Sequence, residues 1–184
     1  MRKVVLALFL LSLLQACAIW SKTDGSRVSG LDNAYSVELP ANWARFALLQ
    51  DRILITRDGL NLQTIEVMRL AHDKAFPKIK KQWDAKMLPF ELAELIVAEF
   101  KTAAEQRTVN VALNEPAQIG GSIPGVHLRL NFKNDKGLQY QRDAYAFADA
   151  KGVYLLAFQA PALHYFPRDQ KVFESVVQSF RRGS

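Results

Sequence analysis

Three alternating segments near the C-terminus leave this chain few ways to fold. Val126, Leu128, Leu130 and Phe132 alternate with His127, Arg129, Asn131 and Lys133, the period-two pattern of a strand with one buried face. Asn134-Asp135-Lys136-Gly137 and Asp149-Ala150-Lys151-Gly152 interrupt the pattern, and Leu138–Ala148 and Val153–Gln159 follow them. Short turns of this kind join antiparallel neighbours, so the three segments form a meander. The shared X-X-Lys-Gly pattern reads as a type I turn closed by a left-handed glycine and a bulge. That choice pairs Asn134 with Leu138 and Asp149 with Val153.

Counting outward from those pairs fixes two faces. One carries Val126, Leu128, Leu130 and Phe132, then Tyr140, Ala144, Ala146 and Ala148, then Tyr154, Leu156 and Phe158. Its alanine row leaves room for a helix to lie close. The opposite face sets His127 beside Tyr145 and Ala157, and Arg129 beside Asp143 and Gln159. A one-residue slip would carry Asp143 among the leucines, and an unpaired buried charge is costly.

Upstream, Tyr35–Leu39 alternates as a strand, and Pro40-Ala41-Asn42-Trp43 turns the chain. Phe46–Leu49, Arg52–Thr56 and Gln63–Leu70 read as further strands. Ile79, Trp83 and Met87 recur every fourth residue, which predicts a basic helix over Phe76–Lys86. Pro89 opens a second helix to about Ala104, with Leu92, Leu95, Ile96 and Phe100 on one face. Val109–Leu113 is a strand, and Asn114–Gly125, with its prolines and glycines, reads as a long loop. Phe166–Arg181 closes the chain as a helix with a Val172, Phe173, Val176, Phe180 stripe. Strands and helices in this order predict an α+β domain.

The N-terminus carries an address. Arg2 and Lys3 precede an apolar run from Val4 to Leu14, long enough for a signal peptide but too short to span a bilayer as a helix. Leu14-Gln15-Ala16-Cys17 ends the run and holds the only cysteine. The stretch resembles the lipobox of bacterial lipoproteins, in which the cysteine thiol receives diacylglycerol and becomes the new N-terminus. Gln15 departs from the small or β-branched residue usual at its place. The resemblance implies a signal peptide over residues 1–16, palmitate-type acylation at Cys17, and a membrane anchor. Residue 18 is alanine, not aspartate, which by the same resemblance implies the outer membrane, with the domain facing the periplasm. Ser21–Gly30 is polar, with two glycines and three serines, so residues 17–33 read as a lipidated flexible tether. About 16 residues of coil would span on the order of 20–24 Å. Residues 34–182 then make the single domain.

Composition agrees with one ordered domain. The 184 residues are 49% hydrophobic, which argues against disorder. The formal net charge of +6 permits contact with anionic lipid or an acidic partner and demands neither. No nucleic-acid motif accompanies it. With its one cysteine committed to lipid, the chain has no intrachain disulfide, so packing alone holds the fold.

Tyr35-Ser36-Val37-Glu38-Leu39-Pro40-Ala41-Asn42-Trp43 resembles the "Y-x-v-x-x-P-x-x-W" opening of the PsbP-like superfamily, which includes DcrB-type bacterial lipoproteins. Val153-Tyr154-Leu155-Leu156-Ala157-Phe158-Gln159-Ala160-Pro161 and the stretch Phe173 to Ser179-Phe180-Arg181 are similar to its "Y-x-l-x-f-x-a-p" and "S-F-r" close. The resemblance covers residues 34–182. It implies an α/β/α sandwich and a mostly non-enzymatic role as assembly factor, extrinsic subunit or lipoprotein. It transfers no functional residue, since the metal ligands of photosynthetic members have no matching motif here.

Two constellations are candidate sites. His127, Arg129, Asp143, Tyr145 and Gln159 on the polar sheet face can line a ligand groove or a proton-transfer site, or simply hold a cross-strand ion pair. Lys78, Lys80 and Lys81 around Trp83 can face a membrane or a partner, or be a solvated face over a buried tryptophan. His72, His127 and His164 have no metal-ligand spacing, no serine sits in a nucleophile elbow, and no phosphate loop follows a strand. No metal, cofactor or catalytic residue is therefore expected. The expectation is a non-catalytic envelope lipoprotein that binds or helps assemble another protein. The rival is a small-ligand carrier or a hydrolase built around His127 and Asp143.

Overall fold

The computed structural model describes residues 19–84, 86–103 and 108–183. The expected signal peptide and Cys17 lie outside these residues. In chain order the first strands are β1 (Trp20–Lys22), β2 (Arg27–Ser29), β3 (Tyr35–Glu38), β4 (Ala44–Phe46), β5 (Arg52–Thr56) and β6 (Thr64–Leu70). Helix α1 (Pro89–Ala103) follows, then β7 (Val109–Ile119), β8 (Ile123–Lys133), β9 (Gln139–Asp149) and β10 (Gly152–Pro161). Helix α2 (Tyr165–Ser179) and the short β11 (Arg181–Arg182) complete the fold. The main antiparallel sheet has eight strands in the order β1-β4-β5-β6-β10-β9-β8-β7, and β11-β3-β2 form a small second sheet.

The two helices take opposite faces, giving the expected α/β/α layers. Leu92, Ala93 and Ile96 of α1 pack on Val126, Leu128, Ala144, Ala146 and Ala157. Small alanines let the helix lie close, as the alanine row predicts. Glu91 accepts the Leu88 N–H at 2.6 Å, closing the first turn of α1 as half of a capping box. Phe166, Phe173, Val176 and Val177 of α2 pack on Phe147, Tyr154, Leu156 and Phe158. Tyr35 joins this aromatic core, and its hydroxyl donates to the Val67 carbonyl at 2.6 Å, tying the small sheet to the large one.

The β8–β9 register is the predicted one, with Val126 opposite Ala146 and Arg129 opposite Asp143. The β9–β10 register differs by one residue. Asp149 pairs with Gly152, not Val153, and Tyr145 faces Leu156. The two X-X-Lys-Gly turns are therefore not alike. Gly137 is left-handed (φ 78°), whereas Gly152 (φ 151°) is already in the strand and pressed against the Leu70 carbonyl. The slip moves Tyr154, Leu156 and Phe158 to the α2 side, where Tyr154 stacks on Phe147 at 4.5 Å. The rings of β10 thus join Phe147 on the α2 side, and the alanines of β9 face α1.

Other expectations change for local reasons. The chain does not turn loose at Asn114. β7 runs on to Ile119 and returns as β8 from Ile123. Pro116 is tolerated because β7 is an edge strand, and Gly120 donates its N–H to the Val177 carbonyl of α2 at 3.0 Å. The predicted basic helix over Phe76–Lys86 is absent. A 3-10 turn (His72–Lys74) and a bridge from Phe76 to Lys81 replace it. Glu99 of α1 captures the Lys78 and Ile79 N–H groups at 3.0 and 3.1 Å, and Lys80 is left-handed (φ 53°). The segment keeps its apolar contacts: Phe76, Ile79 and Trp83 still pack on the α1-side core. The tether over residues 17–33 is also corrected where it is described. Trp20–Lys22 pairs with β4 and Arg27–Ser29 with β3, so the polar stretch is folded onto the domain.

The two turn glycines make a direct test. Gly137→Ala adds a Cβ in open space and should cost about 1 kcal/mol for the left-handed backbone. Gly152→Ala must also displace the Leu70 backbone and should cost clearly more, measured by urea unfolding of the two variants in parallel.

Candidate functional site

His127, Arg129, Asp143 and Tyr145 meet on the α2 side of β8 and β9. Alternate residues of neighbouring strands share a face, and the β8–β9 register sets His127 opposite Tyr145 and Arg129 opposite Asp143. Gln159 does not join them. The β9–β10 slip turns it to the α1 side, where its Oε1 accepts from Arg142 at 3.2 Å. Glu115 is an addition. It lies on the part of β7 read as loop, and its Oε1 stands 3.6 Å from His127 Nδ1.

Asp143 is fully buried. Arg129 grips both its oxygens, Nε to Oδ1 at 2.7 Å and Nη2 to Oδ2 at 2.8 Å. Burial pushes the Asp143 carboxyl up, but the Arg129 bonds, helped by His127, hold it below the usual carboxylate range. The same bonds raise Arg129. His127 lies flat on Tyr145 at 4.1 Å, with Nε2 3.5 Å from Asp143 Oδ1 and no hydrogen-bond partner among the described residues. Burial, with the Asp143 charge behind it, pushes the Tyr145 phenol up to about 12. Phe166 of α2 lies under the Arg129 guanidinium at 5.3 Å, and Phe173 lies beside Tyr145.

A carboxylate held in both oxygens by one guanidinium is a weak base, and a phenol raised this far stays protonated near neutral pH. The cluster can therefore fix β8 to β9 beneath α2, but it is poorly arranged to move a proton. Five of the surface clefts among the described residues are lined by other side chains, not by His127, Arg129, Asp143 or Tyr145. Among the described residues, no group of three or more His, Cys, Asp and Glu side chains is placed to hold a metal ion.

A second buried polar cluster escaped the sequence reading. Asp169, in the first turns of α2, is fully buried. Its carboxylate accepts from Arg57 and Gln63, each at 3.2 Å, and from the neighbouring Arg168. Arg168 also bonds Asp58, whose carboxyl is lowered by that contact. The network ties α2 to the β5–β6 turn. Arg57-Asp58-Gly59 is visible as a turn in the sequence, but nothing local joins it to residues 168 and 169.

Lys78, Lys80 and Lys81 are exposed, and Trp83 is half-buried. Trp83 lines a cleft of about 290 Å³ with Met87, Pro89 and Pro124. A second cleft of about 590 Å³ shares Pro89 and Pro124 and extends to Phe90 and Pro116. Leu88 and Phe90, at the start of α1, are exposed beside it. The side chains thus form an apolar groove with lysines on the neighbouring loop, not one face of a basic helix.

The ion pair predicts a particular acid response. The folded pKa of Asp143 lies below the unfolded value of about 3.9, so the pair stabilises the fold above that pH. Its contribution fades as pH falls through the native pKa. Asp143→Asn should cost about 3–5 kcal/mol at neutral pH, and the double change Arg129→Met with Asp143→Leu should recover most of it. Urea unfolding at neutral pH and near pH 3 reads both effects, and the deficit of Asp143→Asn should shrink at the lower pH.

No family model and no curated protein matches the sequence. Solved structures do match the fold. The Ran-binding protein Mog1p of Saccharomyces cerevisiae superposes with a TM-score of 0.58 at 9% identity, over 88% of this chain and 96% of that one. A structure from Bacteroides thetaiotaomicron VPI-5482 gives 0.51 at 11% identity over 88% of this chain, which spans only 50% of the other's length. Cyanobacterial PsbP (CyanoP) from Synechocystis sp. PCC 6803 gives 0.49 at 11% identity, over 91% of this chain and 95% of that one. At such identities likeness establishes fold alone, and here the Mog1p match carries it. The chain shares the fold of Mog1p, an antiparallel sheet between two helices, which is the α/β/α sandwich expected from the sequence.

Proposed function

We propose that this protein is an outer-membrane-anchored periplasmic lipoprotein, non-catalytic, that binds or helps assemble another protein of the cell envelope. The observation that carries the reading is Leu14-Gln15-Ala16-Cys17 behind Arg2, Lys3 and an apolar run. Charge, length, small residue and lone cysteine agree on one processing event. Two acyl chains on Cys17 meet the requirement for stable anchoring. Among the described residues no helix is long and apolar enough to cross a membrane, which is compatible with attachment through lipid.

The binding role draws support from the groove beside α1. Exposed Leu88 and Phe90 next to a half-buried Trp83 form the kind of apolar patch that marks interaction surfaces. Mog1p, which shares the fold, is described as a Ran-binding protein, so this fold can carry a protein-binding surface. A carrier or hydrolase built on His127 and Asp143 draws less support, because Arg129 already occupies both oxygens of Asp143.

Two experiments test the reading. Cells fed radiolabelled palmitate should label the wild-type protein and not Cys17→Ser, and globomycin should leave the uncleaved precursor to accumulate. Unlabelled protein would remove the anchor from the proposal. For the partner, a photo-crosslinker at Phe90 should give a discrete adduct in cells, and one at exposed Leu60 should not. Phe90→Asp should reduce recovery of that adduct's partner about ten-fold, a typical loss for one apolar anchor.

A further inference from the structure

The chain enters its main sheet at an edge that is exposed and apolar. Among the described residues β1 pairs only with β4, and Trp20 sits opposite Phe46 with ring centroids 4.9 Å apart. Ile19 and Trp20 are exposed, and Leu48, just past β4, is 64% exposed. The row that holds Trp20 and Phe46 runs on through half-buried Leu54 to Glu66 and Ala157. It therefore lies on the α1 side of the sheet. Helix α1 packs over β7, β8 and β9, at the other end of the strand order, so it does not cover this corner. Lys22, two residues beyond Trp20 on the same face, is exposed.

The corner lies close in the chain to Cys17. Only Ala18 stands between Cys17 and Ile19, so the Cα of Ile19 is at most about 7 Å from that of Cys17. With β1 held in the sheet, no long leash separates lipid from domain. We propose that Ile19, Trp20, Phe46 and Leu48 form a foot that rests in the headgroup layer of the bilayer holding the Cys17 lipid. The proposal rests on the lipoprotein reading above. Trp20 and Phe46 supply aromatic surface suited to the membrane–water boundary, Leu48 supplies an aliphatic tip, and Lys22 reaches toward phosphate. The acyl chains supply the affinity. The foot supplies orientation, setting which side of the domain points to the periplasm.

The experiment uses the full processed chain purified in detergent and returned to vesicles of phosphatidylethanolamine and phosphatidylglycerol, three to one. Intact mass establishes diacylglycerol on Cys17 independently. Tryptophan emission is then quenched with brominated lipid. Trp43 is buried, so the quenchable signal comes from Trp20 and Trp83. Trp20→Phe should remove most of the lipid quenching, and Leu48→Asp should lower it about three-fold while the circular dichroism spectrum stays the same. Quenching that survives Trp20→Phe and disappears with Trp83→Phe would place the lysine-rich loop on the membrane and overturn the foot. A lipidated chain that shows no quenching, or a crosslinked dimer that Leu48→Asp dissolves, would overturn it in favour of solvent or a second copy. An unlipidated Cys17 would bring down the anchor and the foot together.

Discussion

Where β10 enters the sheet, Gly152 lies against the Leu70 carbonyl and pairs with Asp149. That one pairing settles the side-chain direction of every residue in the central strand. It sends Tyr154, Leu156 and Phe158 toward α2 and Val153, Leu155 and Ala157 toward α1. Rings then stack with rings, and alanines accept a helix at close range. The α2 side thereby gathers Phe147, Tyr154 and Phe158 under Phe166 and Phe173, while Ala144, Ala146 and Ala157 lie beneath Leu92, Ala93 and Ile96 of α1.

The same pairing places a charged residue under an aromatic core. Asp143 stands opposite Phe158 and shares its surroundings with Phe166 and Phe173. A lone carboxylate there would be prohibitive. Arg129 makes it acceptable, since β8 brings a guanidinium to the neighbouring position on the same face with both nitrogens in line. Asp169 repeats the device at the start of α2, held by Arg57, Gln63 and Arg168. Both buried aspartates therefore read as fastenings between layers. Exposed apolar surface lies elsewhere, at the groove beside α1 and at the β1 corner, toward opposite ends of the strand order.

Much of the fold was legible because its signals are local. The period of two over Val126–Phe132 and the helical stripe of Leu92 and Ile96 each lie within one short window. The β8–β9 register was legible too, since Asn134 fixes its turn through two side-chain bonds to nearby N–H groups. The candidate cluster came through for four of its five members, those set by that register. Gln159 failed because its face depends on the next turn, and Glu115 went unseen because a proline inside an edge strand looks like a loop. Lys78–Trp83 kept its contacts but not its helix, because Glu99, distant in sequence, takes the N–H groups a helix would have used.

Alternation, the order of elements, the apolar stripes and the residue types available at each position are local properties of the chain. Tertiary structure decided which of two registers β10 takes, that Trp20–Lys22 is a strand instead of a tether, and which charges find partners. Those outcomes turn on atoms far apart in the chain: the Leu70 carbonyl beside Gly152, β4 beside β1, Arg129 beside Asp143. A local pattern can state that a residue is able to pair. Only the packed layers supply the partner and the distance.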